Sequence, residues 1–157
     1  MQTREQKTIL LSKKGMKELK KSVTKLERQQ QRIIKELHEL DKTDNHEHRL
    51  ARVEKLADLE IVESQLADKQ MYLSTAKLFP RKRDALIASL GSVVDLVDSS
   101  GRLIRYTLVD SIEANPSDGR ISISSPLGQS LIGKRIQETI HWGNGIRTNK
   151  FTLIGIA

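Results

Sequence analysis

The sequence predicts an α+β protein, with an N-terminal antiparallel coiled-coil hairpin followed by a small antiparallel-sheet domain with one short helix. Three observations predict it. Apolar residues recur at heptad spacing through the first half, and from Gly91 the hydropathy period changes to two. The charge also changes sign partway along the helical half, which marks where the chain turns.

The first helix is read from Met16, Leu19, Val23, Leu26, Gln30, Ile33, Leu37 and Leu40, spaced alternately three and four apart. That is an unbroken coiled-coil seam. Ser12 is a good N-cap, and no Pro or Gly interrupts the helix after Gly15. A helix over 12–40 extends roughly 43 Å at 1.5 Å per residue. Gln30 is the one polar residue of this seam, a type that fixes register at some cost in stability.

A second helix is predicted over about 47–76. Leu59, Leu66 and Leu73 repeat every seven residues, with Val62 and Ala76 at the other seam position. Leu50, Val53 and Leu56 extend an apolar stripe toward the turn. The intervening residues 41–46 are polar and turn-forming. So short a connection makes the helices antiparallel neighbours. Heptads alone fit an intermolecular dimer equally well. The short turn and the charge reversal select the intrachain hairpin, and hence a monomer.

Between residues 4 and 35 there are eleven Lys/Arg against three acids; between 36 and 63 there are nine acids against four Lys/Arg. The whole chain carries +7 in 157 residues, which points to nucleic acid or an acidic surface. Aromatics are only 3%, too few for a base-stacking single-strand binder. With no cysteine, disulfides and thiolate metal sites are excluded. No apolar run approaches the ~20 residues that span a bilayer, and the N-terminus lacks a signal-peptide core. A cytoplasmic protein without membrane contact is expected.

Residues 79–84, with Pro80 and three basic residues, break the helical pattern and read as a hinge. Strands are predicted at 93–97, 103–109, 121–124, 136–142 and 146–156, with turns at Gly101, at 115–119 and at 143–145. Pro126 opens a short helix over 127–132, closed by Gly133. The domain division is therefore 1–78 and 79–157, with a linker over about 78–90.

Three stretches resemble the Gre family of bacterial transcript-cleavage factors. Ser12, Gly15 and Leu19 are similar to the family's first-helix opening. Asp41, Asp44, Asn45, Glu47 and His48 resemble its tip, which typically reads Gly-Asp-x-x-Glu-Asn-x-Glu-Tyr. The most specific match is Ser125-Pro126 followed by Leu131, Ile132, Gly133 and Lys134, similar to Ser-Pro-x-x-x-Leu-Leu/Ile-Gly-Lys. The resemblance implies an FKBP-like C-terminal domain that docks on bacterial RNA polymerase and a hairpin that enters its secondary channel. Tip acids there help hold a second Mg²⁺, and the polymerase, not the factor, cleaves the 3′ end of backtracked RNA.

Carried onto this chain, the resemblance makes Asp41 the first choice for the shared Mg²⁺ and Asp44 a second ligand or water-orienting group. Asn45 and Glu47 support the tip. On the residues alone, these acids read first as helix-capping and solubilising turn residues, and the resemblance reverses that order. Arg28, Arg32 and Lys35 are the basic residues assigned to RNA phosphates. Ser125, Pro126 and Leu127 are assigned to polymerase docking. Where the family has Gly, Glu and Tyr, this chain has Leu40, Asp44 and His48, which leaves open a paralogue that tunes transcription without promoting cleavage. Two His at positions 46 and 48 do not share a helical face, which disfavours a transition-metal site. Tyr106, Trp142 and Phe151 are a thin supply for a prolyl-isomerase pocket.

Overall fold

Two helices of nearly equal length fill the first half of the chain in the computed structural model, which describes residues 7–43, 45–80, 84–144 and 147–157. Helix α1 spans Lys13–Leu40 and α2 spans His46–Thr75. Contacts divide the chain into two units. One is the hairpin, Lys14–Ala76; the other joins Thr8–Lys13 to Lys77–Ala157.

Within the hairpin, Val23, Leu26 and Ile33 of α1 pack with Val62 and Leu66 of α2, flanked by Leu37, Leu59 and Leu73. The predicted seam thus forms the core. Its polar member Gln30 donates from Nε2 to Glu63 Oε1 at 3.2 Å, satisfying the amide across the helices. Toward the turn the structure departs from prediction. Leu50, Val53 and Leu56 are 59%, 66% and 46% exposed and do not extend the seam. Stepping back from Leu59 by heptad spacing reaches Lys55, Ala51 or Arg52, and His48. Those residues face α1; Leu50 and Val53 are rotated away from them by about 100° or more, whereas Leu56 lies at the margin of the seam, about 40° from Arg52.

In the second unit, β1 (Ile9–Leu11) pairs with β2 (Ala76–Leu78), a small sheet absent from the sequence prediction. The main sheet has five strands: β3 (Val93–Asp98), β4 (Leu103–Val109), β5 (Arg120–Ser122), β6 (Thr139–Asn144) and β7 (Arg147–Ile156). Their order is β5-β4-β3-β7-β6. Three of the four pairings are antiparallel as predicted, but β4 and β5 run parallel. A helical turn at Pro116–Asp118, capped by Asn115 and ended by Gly119 at φ 80°, redirects the chain into that edge. The short helix α3, Pro126–Leu131, adds Leu127 and Leu131 to a core with Val94, Leu96, Leu108 and Leu153, which are all but inaccessible. Asp44, part of the basic linker (81–83) and part of the 143–145 turn lie outside the described residues.

Candidate functional site

Asp41 stands on a continuation of α1, because its N–H still donates to Leu37 O at 3.0 Å. Asn45 then adopts an extended backbone and caps α2, its Oδ1 accepting from His48 N–H at 2.8 Å. That bond satisfies one of the amides every helix start leaves open. Thr43 Oγ1 lies 2.7 Å from His48 Nδ1, tying the turn to the first turn of α2. Glu47, exposed in that same turn, lies where the helix dipole favours an anion. The Asp41 carboxylate is ion-paired with Arg52. Together Leu40, Asp41, Thr43, His48, Arg49 and Arg52 line an open hollow of about 370 Å³.

Among the described residues no group of three or more His, Asp or Glu is placed to hold a metal ion. Asp41, with 43% of its side chain exposed, is a single hard-oxygen donor at the end of a rigid helix. Such a donor can supply one oxygen ligand to a hard divalent cation. Asp44 lies outside the described residues, so only Asp41 of the predicted pair is placed.

On α1, Lys21, Thr24, Lys25, Arg28, Gln29 and Arg32 line an open groove of about 720 Å³. Arg28, Arg32 and Lys35 are all exposed and follow helical spacing along one face toward the tip. Between this face and α2, Lys55 Nζ meets Glu36 Oε2 at 2.6 Å. The hydrogen bond from Lys55 holds the Glu36 carboxyl below its usual range, and Glu36 in turn raises the Lys55 ammonium.

The Ser125-Pro126-Leu127 segment builds the start of α3. Ser125 Oγ donates to Ser122 O at 2.6 Å and accepts from Gly128 N–H at 3.1 Å. Pro126 at the first helical position is exposed, whereas Leu127 is buried in the core. Leu127 therefore offers no outward contact, contrary to its assignment from the sequence.

Sequence reasoning missed Arg52, Thr43 and Lys55 at the tip end of the hairpin. The signal for two of them is the register. In the pairs Gln30–Glu63, Glu36–Lys55 and Asp41–Arg52 the residue numbers add to 93, 91 and 93, as a hairpin folded about one point requires.

A helical hairpin with an acid at its turn and a basic face, followed by a sheet domain, makes this a two-part protein. Residues 85–157 match the family described as "Transcription elongation factor, GreA/GreB, C-term". Transcription elongation factor GreA of Chlorobium phaeobacteroides is 31% identical over 84% of this chain and 86% of its own length. GreA of Syntrophomonas wolfei is 29% identical over 97% and 98%. The GreA factor homolog 1 (Gfh1) protein of Thermus thermophilus aligns over 96% of this chain and 99% of that one, at 23% identity and a TM-score of 0.43. The chain belongs to the GreA/GreB family of transcription elongation factors.

Proposed function

We propose that this chain acts on RNA polymerase, entering its secondary channel hairpin-first and stimulating the polymerase's own cleavage of backtracked RNA. The observation that carries this is the position of Asp41, a partly exposed carboxylate at the end of the hairpin. In two-metal phosphodiester hydrolysis, a second Mg²⁺ activates the attacking water or stabilises the leaving oxygen. Asp41 supplies one ligand to that ion, Asp44 is its companion, and Asn45 with Glu47 sets the start of α2. Arg28, Arg32 and Lys35 run along α1 behind the tip and attract the phosphates of the displaced 3′ end. Ser125 and Pro126 present the docking face. The chain itself is not a nuclease, and it works as a cytoplasmic monomer.

The Asp41–Arg52 pair favours a second reading, a channel regulator that tunes transcription without promoting cleavage, because the carboxylate already has a cationic partner. A backtracked elongation complex with end-labelled RNA separates the two. Short 3′ fragments with the wild type, lost with Asp41→Ala while binding persists, establish the cleavage factor. Binding that slows elongation without fragments establishes the regulator, and no binding removes both.

A further inference from the structure

Helix α2 is apolar on two sides. One side, with Leu59, Val62, Leu66 and Leu73, packs on α1. The other carries Leu50, Val53, Ala57 and Ile61, all exposed, the three larger ones at 59%, 66% and 57%. At 100° per residue these four stay within an arc of about 80°, roughly opposite the seam, over some 16 Å beginning just behind the tip. Leu56, 46% exposed, broadens the strip. A few hundred Å² of contiguous apolar surface on a helix marks an interaction site. Propensity does not explain it, since Val and Ile are not favoured on an exposed helix face.

The surroundings of the strip restrict what covers it. Glu54 and Asp58 lie along one side and Glu60 and Glu63 along the other, all exposed. Exposed Arg49 flanks the strip at its tip end, but the four acids outweigh it, and the net negative rim disfavours nucleic acid and an anionic lipid surface. The basic groove for nucleic acid is on α1 instead. Two copies meeting strip to strip would bury only roughly 800 Å², below the ~1,200 Å² of a stable interface, and would set like charges face to face. The strip therefore fits part of a larger contact with a differently charged protein.

We infer that the outer face of α2 is a second polymerase-binding surface, seated on an apolar wall flanked by Lys or Arg. This inference rests on the proposed entry of the hairpin into the polymerase. It gives the hairpin two functional sides, α1 for RNA phosphates and α2 for protein.

The test uses the full chain carrying Leu50→Gln, Val53→Gln and Ile61→Gln. These side chains are exposed, so helicity and melting of the free protein are expected to hold, which circular dichroism checks. Affinity for core polymerase is expected to fall roughly ten- to a hundredfold, mainly through faster dissociation. Wild type that binds with a triple variant that binds equally overturns this inference and leaves the proposed function standing. Wild type that does not bind overturns both. A photoreactive benzoylphenylalanine at Val53 should cross-link to a polymerase subunit; cross-links to RNA or to a second copy overturn the assignment. Reversing Glu54 and Glu60 to Lys should slow association and weaken its salt dependence, and an unchanged association rate counts against the basic rim.

Discussion

Arg52 reaches across the turn of the hairpin and pairs with the carboxylate of Asp41. The two are eleven residues apart in sequence but opposite one another in the helix register. The pair gives the tip acid a countercharge. Both partners remain about half exposed, so water and ions compete for them.

If Asp41 serves a shared Mg²⁺ as proposed, that ion displaces Arg52 or shares Asp41 with it. Arg52→Gln is expected to lower the Mg²⁺ concentration for half-maximal RNA cleavage by a few-fold, the range that an exposed ion pair allows. Affinity for polymerase should change by less than about twofold. Titration of Mg²⁺ in a backtracked-complex assay reads this, and an unchanged Mg²⁺ requirement would show that the two do not compete.

How much of this was legible in the sequence varies residue by residue. Leu19, Val23, Leu26, Ile33, Val62 and Leu66 follow from heptad spacing alone, because burial on a helix repeats with its geometry. Leu50, Val53 and Leu56 do not follow from apolarity, because the register set by Leu59 and Leu66 leaves them exposed. Leu11, almost wholly buried, was invisible, since β1 exists only through a partner strand some sixty-five residues away. The parallel β4–β5 pairing depends on the path of the 110–119 loop, which period-two alternation does not encode. Asp41 was read correctly as the turn acid, but its pairing with Arg52 needed the hairpin register.

The hairpin core is thin, so its few buried leucines carry much of its stability. Leu66→Ala removes a side chain that is only 6% exposed and opens a cavity against Leu26 and its neighbours. A loss of about 3 kcal/mol in hairpin stability is expected. Urea unfolding followed at 222 nm measures it, and the fluorescence of Trp142, in the other unit, should report an unchanged second transition.

Helix α3 sits hard against the strand that precedes it. A Cβ on Gly128 would lie 2.0 Å from Ser122 O and 2.9 Å from Ile123 Cα, both backbone atoms that cannot swing aside. Gly128→Ala is expected to cost about 2 kcal/mol or more of sheet-domain stability and to displace Pro126. Ser125→Ala, which loses the cap to Gly128 N–H and the hydrogen bond to Ser122 O, should cost about 1.5 kcal/mol. Polymerase affinity should fall in the same order, with hairpin helicity intact. Equal affinity for both variants would separate α3 from docking.

Acid should weaken both units through identifiable carboxylates. In the sheet domain Arg105 Nε donates to Asp95 Oδ1 at 2.7 Å, directly across the β3–β4 register, and holds the Asp95 carboxyl below its usual range. Asp98 is lowered likewise, first by the Ser100 hydroxyl and then by the Arg102 backbone N–H. In the hairpin, Lys55 does the same for Glu36. A carboxyl whose folded pKa is depressed binds fewer protons than in the unfolded chain, so its stabilisation is fully present above the unfolded value. It is lost as pH falls through the depressed folded value. Both units should hold constant stability from pH 7 to about 5 and lose it below about 4. Asp95→Asn should flatten that acid limb for the sheet domain alone, and Glu36→Gln for the hairpin alone. Thermal melts at pH 7, 5, 4 and 3, followed by Trp142 fluorescence and by helix signal, distinguish the two, and an unaltered acid limb in either variant would remove that carboxylate from the account.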